Sequence, residues 1–277
     1  MFQRTGKVLD HTPIAERTFR LRLACPEIAA AIRPGQFVML RLPGRSDPLL
    51  ARPFALYDTS PDFAAFDVVY LVVGKMTTLL AETRVGDSID VWGPLGKPFL
   101  DIGEPERATC VAGGIGQTPF LAFANELLGN RGYGGLPARK RVNRVALYYG
   151  VRTLSLAAGI EDFHKAGVEL HLASDDGSLG TKGYVTELLE SHRRTGPLVG
   201  CGPEPMLHAL MKLAGKWDVP CQVSLETPMS CGIGACFSCV TKICTPDGGW
   251  DYKRVCVDGP AFDGRQIVPS YVFRVQS

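Results

Sequence analysis

The chain has 277 residues, of which 45% are apolar, so it is long enough to bury a sizeable core and to form two or three domains. Lysine and arginine outnumber aspartate and glutamate only by 30 to 28, a balance that gives no electrostatic case for binding nucleic acid or an anionic membrane surface. Because the N-terminus lacks a signal-peptide core and the longest apolar run, VVYLVV at 68–73, is too short to span a bilayer, we expect a cytoplasmic protein.

Short segments that alternate between apolar and polar residues dominate residues 1–100. They predict strands at TFRLRL (18–23), QFVMLRL (36–42), FDVVYLVV (66–73) and SIDVW (88–92). Turn sequences rich in Pro, Gly and Asp separate these segments, a pattern typical of an antiparallel barrel or sandwich. We therefore predict a β domain over residues 1–100.

The rhythm changes over residues 101–221, where predicted strands alternate with predicted helices. The strands are ATCVAGG, RVALYYG, VELHLAS and PLVGCG, and the helices are TPFLAFANELL, YVTELLESH and EPMLHALMKLAG. This alternation indicates βαβ units and a parallel sheet. We predict an α/β domain over these residues.

Two glycine-rich turns of this domain each join a strand to a helix, VAGGIGQTPF at 111–120 and CGPEPM at 201–206. Such turns meet at the carboxyl edge of a parallel sheet, where glycine lets a pyrophosphate approach the backbone N–H groups of a helix N-terminus. Glycine can also do no more there than tighten a corner. The residues predicted to bind a dinucleotide are Gly113, Gly114, Gly116, Thr118, Cys201 and Gly202.

Residues 222–277 are too few for another full core, yet they hold five of the nine cysteines. In a reducing compartment such a group indicates a metal or redox site rather than disulfides. Cys231, Cys236 and Cys239 are separated by four and then by two residues, and Cys256 follows. This is the spacing of plant-type [2Fe–2S] ligands, and it predicts a small cluster-binding module.

A predicted hairpin explains how the fourth thiol returns to the other three. CVTKIC (239–244) and WDYKRVC (250–256) flank the turn sequence TPDGG, so the hairpin places Cys256 near Cys239. Cys244 would then lie about 16 Å from Cys239, because a strand rises about 3.3 Å per residue. A four-cysteine zinc site is the alternative, but its ligands usually come as two short pairs. The cysteines excluded as ligands are Cys244, Cys25, Cys110, Cys201 and Cys221.

Six segments resemble, in order, those of the ferredoxin-reductase superfamily: RPFA, VVGKMTT, GPLG, GGIGQTP, CGPEPM and CGIGACFSC. The last of them, extended to ETPMSCGIGACFSC and followed by YKRVCVDGPAF, resembles the electron-transfer subunits of type B dihydroorotate dehydrogenases. The resemblance implies a multidomain fold. An FAD-binding antiparallel β barrel is expected at 1–100, an NAD-binding parallel α/β domain at 101–221 and a [2Fe–2S] domain at 222–277.

The resemblance also implies a function in pyrimidine biosynthesis. A separate FMN-bearing catalytic subunit would oxidise dihydroorotate, and this chain would pass the electrons through the cluster and FAD to NAD+. No nucleophile triad or carboxylate pair is apparent, so we name no catalytic side chain. One alternative is an NADH-linked reductase subunit that serves another flavoprotein or an oxygenase. The other is a non-enzymatic zinc-binding or sensor protein.

A heterotetramer with two copies of each subunit is the assembly that the resemblance implies. A cluster close to the surface needs a partner to supply or receive its electrons. Met229, Ile233 and Phe237 flank the cysteines and offer apolar contact area for that partner. The alternative is that these side chains pack beneath the cysteine loop.

The residues that the resemblance places at the flavin are Arg52, Pro53, Phe54, Ala55, Tyr70, Leu71, Val72, Met76 and Thr77. Met76 and Thr77 are expected to approach its pyrophosphate. Two positions depart from the family pattern, because Ala55 replaces a common serine and Leu71 replaces a frequent arginine. Backbone contacts, rather than side-chain hydrogen bonds, are therefore expected at these two positions.

Two aspartates predict that the nucleotide is NAD rather than NADP. Asp175 and Asp176 lie in ASDDGS (173–178), where superfamily members contact the adenosine ribose. NADP-selective relatives tend to place an arginine there for the 2′-phosphate, whereas a carboxylate accepts hydrogen bonds from free ribose hydroxyls. The stretch itself holds no basic residue, although the distant ARKR loop could reach a phosphate. The alternative is that both aspartates simply shape the turn.

Overall fold

The computed structural model describes residues 1–193 and 196–268. The first seven strands are β1 (Phe2–Ala15), β2 (Thr18–Ala24), β3 (Phe37–Arg41), β4 (Arg52–Ala55), β5 (Asp58–Thr59), β6 (Ala65–Leu71) and β7 (Ser88–Leu95). Two short helices accompany them, α1 (Pro26–Ala31) and α2 (Lys75–Ala81). None of the helices in the described ranges has the length and the apolar character that a bilayer crossing demands.

Strands β1 to β7 form one antiparallel sheet in the order β4-β3-β7-β1-β2-β6-β5. β4 and β5 lie at opposite edges, yet only Leu56 and Tyr57 separate them along the chain, so the sheet has to curl until its edges meet. Across that closure the Tyr57 N–H donates to the carbonyl of Asp67 at 2.9 Å, and the ring centres of Phe54 and Tyr70 are 5.8 Å apart. The predicted antiparallel barrel is confirmed.

The four strands predicted for this part of the chain correspond to β2, β3, β6 and β7. The alternation rule misses β1, because FQRTGKVLDHTPIA buries only Gly6 and Val8 and leaves its other side chains partly or fully exposed. Strand β1 is nevertheless central in the sheet, where it pairs with both β2 and β7. Its place is therefore set by backbone pairing rather than by an apolar face.

The remaining strands are β8 (Arg107–Gly113), β9 (Arg144–Val151), β10 (Glu169–Ser174), β11 (Thr181–Lys182), β12 (Leu198–Cys201), β13 (Cys221–Ser224), β14 (Val240–Cys244), β15 (Trp250–Arg254) and β16 (Ala261–Asp263). The remaining helices are α3 (Phe120–Leu128), α4 (Ile160–Lys165), α5 (Val185–His192), α6 (Glu204–Trp217) and α7 (Val255–Asp258). Short 3-10 helices occupy Gly114–Gln117, Leu154–Leu156 and Gly264–Gln266.

A second sheet of seven strands has the order β11-β10-β9-β8-β12-β13-β16. Neighbours run parallel from β11 to β13, and β16 pairs antiparallel with β13. Strands β8 and β9 each bury five consecutive residues, as expected for parallel strands that are covered on both faces. The predicted parallel α/β fold is confirmed.

The C-terminal region combines a hairpin with an addition to the second sheet. Strands β14 and β15 pair antiparallel as the hairpin. Ile243, Val255 and Ile267 from this region pack into the same apolar core as Val223 of β13. The predicted domain limit between residues 221 and 222 falls inside β13, and β16 extends the sheet beyond it. The second and third regions therefore share one core.

Candidate functional site

A cleft of about 810 Å³ opens where the barrel, the second sheet and the segment that leads to the cysteine loop come together. Its volume lies in the range, roughly 300–1,000 Å³, of pockets that enclose small molecules and cofactors. The barrel contributes β4, β6 and the start of α2. The second sheet contributes Thr118 and Cys201 from its two turns, and residues 224–230 complete the lining.

Eight of the nine residues predicted to contact the flavin line this cleft. They are Arg52, Pro53, Phe54, Ala55, Tyr70, Leu71, Met76 and Thr77. The ninth, Val72, is half-buried, and Arg17 engages both of its backbone groups. Val72 N donates to Arg17 O at 2.8 Å, and Arg17 Nη2 donates to Val72 O at 2.6 Å. The fold thus gathers two separate segments of the barrel on one surface.

Strand β4 is an edge strand, and its sequence suits that position. Pro53 lacks an N–H, and an edge strand leaves one side of its backbone unpaired, so proline is tolerated there. Arg52 is exposed and donates from Nη1 to the carbonyls of Leu50 and Ala51, each at 3.0 Å. Its guanidinium is therefore held at the cleft with further donors to spare for an anion.

Tyr70 and the start of α2 form another part of the wall. The Tyr70 ring packs edge-on against Phe54, and its hydroxyl shares a hydrogen bond of 2.8 Å with His11 Nε2. Burial raises the pKa of Tyr70 above its ordinary value, so the ring stays neutral. The Thr77 hydroxyl accepts from the N–H of Gly74 at 3.1 Å and donates to the Gly74 carbonyl at 2.9 Å. These two bonds fix the turn that enters α2.

The lining of the cleft fits the predicted FAD. Phe54 and Tyr70 suit a flat aromatic ring system, and Arg52 and Lys75 supply positive charge for a pyrophosphate. The Thr227 hydroxyl lines the cleft and is buried without a hydrogen-bond partner among the described residues. Because buried polar groups are almost always hydrogen-bonded, this hydroxyl indicates that a ligand completes the site.

The two glycine-rich turns lie against each other. A Cβ on Gly116 would stand 2.3 Å from the carbonyl oxygen of Cys201, and a Cβ on Gly113 would stand 2.6 Å from Pro203 Cδ. Both glycines are therefore required for contact between the turns, which supports the corner-tightening alternative at these two positions. Of the predicted dinucleotide residues, Thr118 and Cys201 line the cleft. The residues outside the lining are Gly113, Gly114, Gly116 and Gly202.

Asp175 and Asp176 lie beside the end of β9. Their backbone N–H groups donate to the carbonyls of Val151 at 3.1 Å and Arg152 at 3.3 Å, respectively. The Asp176 carboxylate accepts from the Ser178 hydroxyl at 2.6 Å and from its N–H at 2.9 Å, and these bonds lower the pKa of Asp176 to about 2. Asp176 therefore shapes the turn, and the exposed Asp175 is the better placed carboxylate for a ribose.

The four predicted cluster ligands form two pairs of thiols. Cys236 is exposed, and hydrogen bonds with Ser238 Oγ, 3.2 Å away, and with Cys231 lower the pKa of its thiol to about 6. Cys256 contacts Cys239, and burial raises the pKa of Cys256 to about 12. Since the thiolate is the ligand form of cysteine, the loop already favours that form at Cys236.

The paired arrangement fits a cluster with two irons, each of which takes two thiolates. A four-cysteine zinc site would instead bring all four sulfurs to about 2.3 Å from one point. Two pairs of thiolates are the donor set that the predicted [2Fe–2S] cluster requires.

The hairpin places Cys256 as predicted. The N–H of Val255 donates to the carbonyl of Cys239 at 2.9 Å, so the residue that follows Val255 lies at the cysteine loop. Cys244 pairs with Trp250 at the opposite end of the hairpin and is exposed there. The excluded thiols of the other regions are all buried: Cys25, Cys110, Cys201 and Cys221. The hairpin prediction is confirmed.

Three contacts fasten the cysteine loop. Gly232 has a left-handed backbone, with φ +73°, and a Cβ there would stand 2.6 Å from Met39 Cγ on β3. The Arg254 guanidinium donates to a carbonyl of the loop at 3.2 Å. The Trp92 indole N–H donates to the carbonyl of Cys231 at 3.3 Å. The loop is therefore packed on barrel strands as well as on its own hairpin.

Sequence reasoning missed three polar residues of this region. Glu226 and Thr227 line the cleft just after β13, and Arg152 follows β9 beside the two aspartates. All three lie at the carboxyl edge of the second sheet. The rule that ligands bind at this edge could have found Arg152, which follows a predicted strand, whereas Glu226 and Thr227 follow β13, which the sequence did not predict.

Comparison with known proteins gives matches to both ends of the chain. A family model for the iron–sulfur cluster binding domain of dihydroorotate dehydrogenase B matches residues 226–268. An oxidoreductase FAD-binding domain model matches residues 6–99. The predicted FAD and iron–sulfur cluster are confirmed by these matches, and the zinc alternative is not supported.

Two relatives carry the name dihydroorotate dehydrogenase B (NAD(+)), electron transfer subunit. The one from Bacillus caldolyticus is 38% identical over 258 residues, which are 92% of this chain and 94% of the relative. The one from Desulforamulus reducens is 35% identical over 266 residues, which are 95% of this chain and 97% of the relative.

Among solved structures, the NADH-dependent reduced ferredoxin-NADP oxidoreductase is 29% identical with a TM-score of 0.80, over 96% of this chain and 90% of that one. Phthalate dioxygenase reductase has a TM-score of 0.63 at 19% identity, over 92% of this chain and 94% of that one, and shows the fold alone. The predicted ferredoxin-reductase fold is confirmed. With relatives this similar over nearly their whole length, the chain belongs to the family of electron transfer subunits of dihydroorotate dehydrogenase B.

Proposed function

We propose that this chain passes electrons from a dihydroorotate-oxidising partner through its iron–sulfur cluster and FAD to NAD+. The observation that carries the proposal is the shared wall of the cleft. Met229 and Ser230, which directly precede the ligand Cys231, line the same cleft as Cys201 and Thr118 from the turns of the second sheet. The approach to the cluster, the flavin surface and the dinucleotide edge therefore meet in one place.

A bound flavin exchanges hydrides with NAD and single electrons with an iron–sulfur cluster, so it connects two kinds of carrier. The chain's own residues hold and orient the groups. Arg52 and the first turn of α2 bind the pyrophosphate, and Phe54 and Tyr70 wall the ring system. Thr227 donates or accepts the hydrogen bond that its buried hydroxyl lacks within the described protein.

The third cofactor is NAD. Its pyrophosphate binds at the turn of Gly113 to Thr118, opposite the turn of Cys201 and Gly202, and its adenosine ribose binds at Asp175. An exposed carboxylate accepts hydrogen bonds from ribose hydroxyls and repels a 2′-phosphate. Arg152 stands close enough in the fold to moderate this selectivity, because its carbonyl accepts from Asp176 N.

The partner is a catalytic subunit that bears FMN and docks over the cysteine loop, with two copies of each subunit in the complex. Ile233 and Phe237 support this docking face, because they are 49% and 61% exposed beside the exposed Cys236. Met229 is different, since it lines the cleft and packs on the core. Apolar side chains exposed next to a redox centre favour a protein contact.

Domain roles and location complete the proposal. Residues 1–100 bind FAD, residues 101–221 bind NAD and residues 222–277 bind the cluster, although the core of the last two is shared. The complex works in the cytoplasm. None of the nine cysteines, all of which lie in the described residues, forms a disulfide, as suits a reducing compartment.

Co-expression with the candidate catalytic subunit tests the function. The two chains should co-purify under anaerobic conditions, and the complex should reduce NAD+ when dihydroorotate is added. With Cys236→Ser the two chains should still co-purify, but the complex should no longer reduce NAD+. With Cys244→Ser the complex should still reduce NAD+. Absence of dihydroorotate-dependent NADH formation in a complex that carries FAD and the cluster would contradict the proposal and favour a reductase with another partner.

A further inference from the structure

The proposed electron transfer needs a source of protons, because the cluster supplies single electrons whereas NADH carries them away as a hydride. A hydride consists of two electrons and one proton, and the cluster delivers electrons alone. Each NADH formed therefore consumes one proton that has to enter the cleft by another route. The identity of the group that supplies this proton is an inference that rests on the proposed function.

Five ionisable side chains line the cleft in the described part of the chain: Arg52, Tyr70, Lys75, Cys201 and Glu226. Arginine stays protonated at any physiological pH, and the Lys75 ammonium is paired with the Asp47 carboxylate. The Tyr70 hydroxyl is hydrogen-bonded to His11, and burial raises its pKa. These three groups supply positive charge or shape the wall of the cleft.

The Cys201 thiol is a poor proton donor as well. Burial raises its pKa well above the ordinary value, and the negative charge of Glu226 raises it further. Cys201 pairs with Ser224 across β12 and β13, so Glu226, two residues further along the chain, leaves the sheet beside the Cys201 turn. Among the described residues, Glu226 supplies the only carboxyl group that lines the cleft, and it is the remaining candidate for the proton donor.

The surroundings of Glu226 suit this role. The residue is exposed because it faces the open cleft, while the protein packed around its other sides raises the pKa of the carboxyl through loss of solvation. A carboxylic acid that keeps its proton closer to neutral pH is a better general acid than one in bulk water. The open side of the cleft gives it contact with solvent for reprotonation.

We propose that Glu226 is the proton donor and acceptor of the cleft, and that it gives up one proton for each hydride that leaves as NADH. Per turnover, two electrons from the cluster, one proton from the Glu226 carboxyl and NAD+ give NADH and the Glu226 carboxylate. The carboxylate then takes one proton from water at the open side of the cleft. In the reverse direction, from NADH to one-electron acceptors, Glu226 accepts the proton and releases it to solvent.

The test uses the chain loaded with FAD and cluster and compares the wild type with Glu226→Gln, which keeps the shape and removes the acid. NADH delivers a hydride, which already contains the proton, so the rate of flavin reduction by NADH should stay within about threefold of the wild-type rate. Turnover from NADH to ferricyanide has to release a proton and should fall on the order of 100-fold. The midpoint potential of the bound flavin should show a change of slope with pH in the wild type that Glu226→Gln lacks.

Two further variants serve as controls for Glu226→Gln. Glu226→Asp should keep the pH-dependent change of slope and an intermediate ferricyanide rate. Glu161→Gln, a matched loss of one exposed carboxylate on α4, should behave as the wild type.

The inference is overturned by wild-type ferricyanide rates and an unchanged potential profile in Glu226→Gln. It is equally overturned if both Glu226 variants lose flavin, since Glu226 would then hold the cofactor. A wild-type chain that NADH fails to reduce would instead refute the proposed function.

Discussion

The cysteine loop and the cleft differ in how many parts of the chain build them. Three of the predicted cluster ligands lie within nine residues, 231–239, and one hairpin brings the fourth back to them. The cleft takes its lining from the barrel, from two turns of the second sheet and from residues 224–230. The cluster therefore depends on a few local contacts, whereas the flavin depends on the packing of three regions. A substitution that impairs either the cysteine loop or the cleft should therefore leave the other site intact.

The largest separable effect is expected from the ligands. Replacing Cys231, Cys236, Cys239 or Cys256 by serine should abolish the iron–sulfur absorption and leave the flavin spectrum in place, because no ligand of the cluster lines the cleft. Cys244→Ser should retain both. Absorption and iron content of each purified variant provide the readout. Loss of the cluster in Cys244→Ser, or a cluster that survives in any of the four ligand variants, would show that the ligand assignment is wrong.

The substitution Gly116→Ala should impair the cleft and leave the cysteine loop intact. In Gly116→Ala the new methyl group would meet the Cys201 carbonyl oxygen at 2.3 Å, so the two turns have to move apart. A displacement of about 1 Å can reduce a reaction rate on the order of 100-fold, and we expect such a loss in flavin reduction by NADH. Gly215→Ala is the control, since nothing lies within 4 Å of that Cβ. A matching fall in cluster content would show that the sites are not separable.

Nucleotide selectivity should change at Asp175. Asp175→Arg removes a carboxylate and adds a guanidinium that can bind a 2′-phosphate, so the preference for NADH over NADPH should fall by roughly 10- to 100-fold, as one or two charge-assisted hydrogen bonds allow. Asp176→Arg should instead disturb the turn, because the Asp176 carboxylate accepts from both the N–H and the hydroxyl of Ser178. Steady-state kinetics with both nucleotides separates these outcomes. Equal or better use of NADPH by the wild type would defeat the assignment.

The smallest expected effect concerns the link between the barrel and the loop. Trp92→Phe removes the indole donor to the Cys231 carbonyl, a hydrogen bond of 3.3 Å that contributes about 1 kcal/mol. The cluster should then be lost to a chelator about fivefold faster, with flavin content unchanged. Trp250→Phe, at the exposed far end of the hairpin, is the matched control. Equal rates in the two variants would show that the barrel does not support the loop.

The same contrast explains how far the sequence could predict this molecule. The spacing of Cys231, Cys236 and Cys239 predicts a cluster loop, and the TPDGG turn determines which end of the hairpin carries Cys256. These relations are local, because each joins residues that are close along the chain. The hairpin could therefore be predicted from the residues themselves, and the four ligands stay a prediction of the same local kind.

The cleft could be predicted only through resemblance. Nothing in the spacing of Arg52, Tyr70 and Met76 relates them, because β4 and β6 meet only when the barrel closes. Glu226 and Thr227 escaped prediction for the same reason, since their place depends on β13 lying next to β12. Strand β1 escaped because its side chains do not alternate in burial over most of its length.

The proposed function requires that electrons pass from NADH through the flavin to the cluster within this one chain. The most direct test mixes the FAD- and cluster-loaded chain, without any partner, with NADH in an anaerobic rapid-mixing experiment, and follows flavin absorbance and the paramagnetic signal of the reduced cluster. We expect the flavin to be reduced first and the cluster signal then to rise in the same sample. A flavin that becomes reduced while the cluster stays oxidised throughout would contradict it.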